Sequence, residues 1–124
     1  MDNTAKPEST STINEPSLRF YHSISLRDKT DSVLSALESK PEHPKHGNAI
    51  AGLVSELVDA GLEYYFLTPL KQAGIGFVAE KSAKLGISSA SKLISSVSRK
   101  YIVRMDHSQL MVVSNHIQSL TIPA

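Results

Sequence analysis

Apolar residues recur every three or four positions along most of this chain, the spacing of one face of an α-helix. The pattern is cleanest from Ala49 to Phe66. Ile50, Leu53, Val54, Leu57, Val58, Gly61, Leu62 and Tyr65 share one side, and Glu56, Asp59 and Glu63 share the other. This predicts an amphipathic core helix, with Asn48 as its N-cap. Before it, Leu26, Thr30, Val33, Leu34 and Leu37 also fall on one face. Leu18, Phe20, Ile24 and Leu26 alternate as in a strand, but no second strand-like run exists to satisfy a lone strand's backbone groups. The first helix is therefore placed over 18–39. The loop "PEHPKHG" separates the two.

Thr68-Pro69 reads as an N-cap followed by a proline in the first turn, so a third helix is expected over 69–85. Gly76, Ala79 and Ala83 would lie on one side of it, small enough for a neighbouring backbone to come close. Leu70, Phe77, Val78 and Leu85 would lie on the other. Gly86-Ile87 suits a helix end, and Ser88 or Ser89 would cap a fourth helix burying Ala90, Leu93, Ile94, Val97, Tyr101 and Met105. Asp106-His-Ser-Gln109 is a capping box with Asp as its first residue, flanked by Met105 and Leu110 as a hydrophobic staple. It opens a fifth helix with Leu110, Val113, Ile117 and Leu120 on one face. The expected fold class is all-α: one domain over 17–124 holding a bundle of about five helices. Residues 1–16, rich in Ser, Thr, Pro and Glu, form the expected disordered tail.

Charge adds an asymmetry to this picture. Residues 1–70 hold six Lys/Arg against ten Asp/Glu, a balance of −4, and residues 71–124 hold seven against two, a balance of +5. The two parts could pair within the fold, or the basic part could meet an anionic partner. Lys81, Lys84, Lys92, Arg99, Lys100 and Arg104 fall within 24 residues that contain no acid. Lys81 sits by helical angle among Leu70, Gly74, Phe77 and Leu85, so it would snorkel or pair with Glu56, Asp59 or Glu63. The chain has no cysteine and no apolar leader-like segment, so a cytoplasmic location is expected, with peripheral membrane contact as the variant.

Catalytic signatures are weak. Gly74-x-Gly76-x-x-Ala79 has dinucleotide-turn spacing, but a helix start precedes it and no acid lies about 20 residues beyond, where a ribose would need one. His43-Pro-Lys-His46 offers two imidazoles in a loop, short of a tetrahedral site. No serine lies in Gly-x-Ser-x-Gly. No enzymatic activity, metal or cofactor is expected. The expected function is that of a small helical module acting through a protein interface, self-association included. Lys92, Arg99 and Lys100 are its candidate interaction patch. Binding to an anionic membrane through residues 69–104 is the alternative, since spaced aliphatics among lysines are what interfacial helices use. Nucleic-acid binding comes third, with Gly86-Ile87-Ser88 as the turn of a helix-turn-helix presenting Ser91, Lys92, Ser95 and Arg99. A variant lacking residues 1–16 should melt within about 5 °C of the full chain, since that shift corresponds to ~1 kcal/mol in a domain this size. A larger drop in calorimetry would make the tail part of the fold.

Overall fold

A computed structural model describes residues 16–17, 19–40, 42 and 45–121, and the expected tail lies outside them except for Pro16. The fold is all-α, as expected, but the described residues form four helical segments and not five. They are α1 (Ile24–Ser39), α2 (His46–Leu62), α3 (Phe77–Ile102) and α4 (His107–Leu120). α2 continues without a break through a π-helical turn, Glu63–Leu67, into Thr68–Gln72.

α1 starts at Ile24 and not at 18. Ser23 is its N-cap and accepts a hydrogen bond from the Leu26 amide at 3.1 Å. Residues 19–23 lie outside any helix, and among the described residues they pair with no strand. They form a strap across the π turn of α2, with Phe20 against Tyr65 at 6.1 Å between ring centroids and Tyr21 against Tyr64 at 5.7 Å. Gly61 faces this strap: a Cβ there would sit 3.7 Å from the Phe20 ring.

α2 begins at His46, so Asn48 lies inside its first turn and does not cap it. Thr68-Pro69 likewise starts no new helix. A proline ring inside a helix collides with the carbonyl four residues back. Here the helix has widened just before Pro69, and the Thr68 amide reaches back five residues to the Glu63 carbonyl. The widening lets the chain pass the proline and carry on.

The true break comes at residues 73–76. Gly74 has φ +67° and Gly76 has φ +100°, conformations that a side chain disfavours. Gly76 is the N-cap position of α3 and not an interior small residue, and nothing lies within 4 Å of a Cβ built on it. Ala79 is also exposed. The expected close approach of a backbone to Gly76 and Ala79 is therefore overturned. Gly86-Ile87 does not end a helix either, because α3 runs through it for 26 residues.

α2 is the central element, and α1, α3 and α4 pack around it. Leu26, Leu34 and Leu37 of α1 meet Ile50, Ala51 and Leu53 of α2, with Ile102 and Leu110 closing the cluster. α4 enters it through the expected capping box. The Gln109 amide donates to Asp106 Oδ1 at 2.9 Å, and the Asp106 amide donates to Gln109 Oε1 at 3.0 Å. Leu110 is buried and Val113 and Ile117 are half-buried, but Leu120, expected on the same face, is exposed.

Ser114, fully buried on α4, has no hydrogen-bond partner for its hydroxyl among the described residues. Leaving such a group unpaired costs about 1–3 kcal/mol. Ser114→Ala should therefore raise stability by about 1 kcal/mol, read as a higher urea midpoint at unchanged slope. A destabilised variant would show that the hydroxyl has a partner. Gly76→Ala should act in the opposite sense, losing about 1–2 kcal/mol to its positive φ, although the site is open.

Candidate functional site

α3 turns the wrong side to solvent for a core helix. Its buried residues are Ser91 and Ile102, and Ala83, Ile87, Ser95 and Ser98 are half-buried along the same side. This mostly small face lies against α2. Two contacts fix its rotation. The Ser91 hydroxyl donates to Asp59 Oδ1, and a Cβ on Gly47 would come within 3.2 Å of the Val103 backbone, so the two helices cross there in close contact.

The large residues expected in the core are outside. Leu93 is 68% exposed, Val97 52%, Tyr101 59% and Ile94 43%. The reason is geometric: only small residues allow α3 to come this near α2, so the bulky ones rotate away. Phe77, Val78 and Leu85 are exposed as well. Monomeric proteins rarely leave contiguous apolar patches of more than a few hundred Å² in water, and larger ones mark interaction surfaces.

Around the same helix, side chains divide by flank. At 100° per residue, Ala79, Ala83, Gly86, Ala90, Leu93, Val97 and Tyr101 form one uncharged stripe. Lys81, Lys92 and Arg99 line up on the other flank, about three and five turns apart. Lys92, Arg99 and Lys100 are all exposed, and none forms an ion pair among the described residues. Lys92 and Arg99 share a face, and Arg99 Nη1 donates to Asn48 Oδ1 at 3.4 Å. Lys100 turns about 100° from Arg99, its ammonium 5.9 Å from the Tyr101 ring centroid. The expected patch is thus a line of two residues with Lys100 beside it. Lys81 joins that line only because α3 is one continuous helix, unbroken at the expected helix end Gly86.

Two of the three acids of the expected acidic stripe are engaged elsewhere. Glu56 pairs with Lys29, and Asp59 holds Ser91. Lys81 is exposed and rests over the Phe77 ring at 5.8 Å, so it neither pairs with that stripe nor packs among Leu70 and Gly74. His46 is buried, with its ring against the Lys40 carbonyl, while His43 lies outside the described residues. Among the described residues, no group of three or more His, Asp or Glu side chains is placed to hold a metal ion.

Two shallow depressions, of about 260 and 250 Å³, are lined by Asp31, Leu34 and Gln118 and by Tyr21, Glu63 and Tyr64 respectively. Both are smaller than the ~300–1,000 Å³ of ordinary small-molecule sites. No helix of the described residues is long and apolar enough to cross a membrane. Comparison with protein-family models, curated proteins and solved structures finds no match for this chain.

Reversing charge at exposed, unpaired positions should leave the fold intact. The double variant Lys92→Glu/Arg99→Glu is expected to keep its helicity and to melt within a few degrees of the parent, since surface changes of this kind fall within about ±0.5 kcal/mol each. Unfolding, seen as lost circular dichroism at 25 °C, would make these residues structural partners of the acidic part of the chain.

Proposed function

We propose that this chain is a non-enzymatic helical module that works by presenting the uncharged flank of α3 to a protein. The observation that supports this reading is the exposure of Leu93, Ile94, Val97 and Tyr101 on a helix whose packed side is built mostly of small residues. Burying each such side chain is worth about 1.5–3 kcal/mol, so a partner covering three or four of them gains several kcal/mol before ordering costs.

A second reading has its own support. Lys81, Lys92 and Arg99 form an exposed basic line along the same helix as the apolar residues, which suits the surface of an anionic membrane. The apolar stripe and the basic line sit on opposite flanks, the division an interfacial helix uses, so vesicle binding is the measurement that tells this reading from the first. Nucleic acid is supported less. The turn invoked for a helix-turn-helix, Gly86-Ile87-Ser88, is helical, so only the basic residues themselves remain.

Salt separates the three. Contacts to lipid headgroups or phosphates weaken steeply with ionic strength, whereas apolar contact does not. The full chain is expected to stay in the supernatant when spun with vesicles containing one-third phosphatidylserine at about 0.15 M salt, near the physiological screening length. It is likewise expected not to shift duplex DNA. Retention on the vesicles that survives Lys92→Glu/Arg99→Glu but is lost in Leu93→Glu/Val97→Glu would replace the protein partner with the bilayer.

A further inference from the structure

We propose that the partner of α3 is α3 of a second copy of this chain, lying antiparallel to it about a twofold axis at Ala90. The inference rests on the interface reading given above and names its occupant.

Three observations lead to it. The first is size along the stripe. Its N-terminal members are Ala79, Ala83, which is half-buried at the edge that meets α2, and Gly86, and its C-terminal members are Leu93, Val97 and Tyr101, with Ala90 between them. The spacing runs four, three, four, three, four and four, which keeps one seam facing a neighbouring helix. An antiparallel copy centred on Ala90 sets Ala79 opposite Tyr101 of the second copy, Ala83 opposite Val97, and Gly86 opposite Ile94. Tyr101, Val97 and Ile94 then each meet a small residue, while Leu93 meets Ile87. A parallel copy would set Tyr101 on Tyr101 and Ala79 on Ala79, crowding one end and leaving the other hollow. Helix interfaces pack densely, so the antiparallel order is the one the side chains fit.

The second observation is charge. The stripe carries none. Lys81, Lys92 and Arg99 lie roughly on the opposite side of α3, and Lys100 borders the stripe beside Leu93, so two copies joined along the stripe keep the basic line away from the seam. Antiparallel helices also align their dipoles favourably.

The third is area. Leu93, Val97 and Tyr101 are 68%, 52% and 59% exposed, and with the small residues between them they offer less than the ~800 Å² per partner of a standard stable interface. A seam of that size suits a dimer of modest strength. Association should therefore appear at about 10–100 μM, where free energies of binding near 6 kcal/mol act.

The absence of cysteine makes the test clean. Sedimentation equilibrium of the full chain over about 1–500 μM should show the mass rising from 13.5 kDa towards twice that value. Under mild oxidation, Ala90→Cys should cross-link to itself. Ala79→Cys and Tyr101→Cys should each fail to do so alone, yet cross-link when mixed. Leu93→Glu should abolish both the mass increase and the Ala90→Cys cross-link while keeping its melting temperature. Self-linking of Ala79→Cys and Tyr101→Cys would overturn the antiparallel order. A mass of 13.5 kDa at every concentration would overturn self-association. If that monomer also stays off the vesicles, a different protein partner remains open. If it binds them through Leu93 and Val97, the protein-interface reading falls as well.

Discussion

The close crossing of α3 over α2 governs what the rest of the molecule presents. Gly47 leaves room for the Val103 backbone, and a Cβ added there would meet it at 3.2 Å. From that crossing α3 runs back along α2 on Ser98, Ser95, Ser91, Ile87 and Ala83. Small residues keep the helices near each other, and nearness leaves no space for Leu93, Val97 or Tyr101 between them. The exposed apolar flank is thus a consequence of the packing.

The π turn of α2 has a comparable reach. It carries the helix past Pro69 and splays Tyr64 and Tyr65, onto which the strap of residues 19–23 folds. Only after Gln72 does the chain reverse, through Gly74 and Gly76 at positive φ. Moving the reversal from Thr68 to residues 73–76 lengthens the second helical segment. It also leaves α3 unbroken from Phe77 to Ile102. A long, continuous α3 is what brings Lys81, Lys92 and Arg99 onto one line and makes a seam of the stripe from Ala79 to Tyr101.

The all-α class, the face of α1 from Leu26 to Leu37, the face of α2 from Ile50 onward and the capping box of α4 were legible in the residues. In each, local chemistry and tertiary packing agree. The errors fall where they conflict. Thr68-Pro69 has the chemistry of a helix start, but a widened turn removes the clash that would have required one. Gly86 has the chemistry of a helix end, but no positive φ is used there. α3 misled most, because periodicity identifies an apolar face without saying that the face is buried. Ser91, Ser95 and Ser98 gave no sign of being the packed side, since serines spaced along a helix read equally well as solvent-facing positions. The signal that could have found it is the run of small residues at 83, 91, 95 and 98, leading to the crossing of Ile102 and Val103 over Gly47 in the neighbouring helix.

Energy bears on why this arrangement persists. Turning α3 so that Leu93, Val97 and Tyr101 faced α2 would bury three large side chains, each worth about 1.5–3 kcal/mol. It would break the hydrogen bond from Ser91 to Asp59, worth about 1.5–3 kcal/mol because its acceptor is charged. On transfer energies alone the turned helix wins. It is opposed by shape, since bulky residues would force the helices apart at Gly47 and strip contacts from Ile102 and the core around it. The chain therefore keeps its internal contacts and leaves an apolar flank in water, an imbalance that a second surface on that flank would remove. The second α3 proposed above would be such a surface, small over most of the length where the first is large.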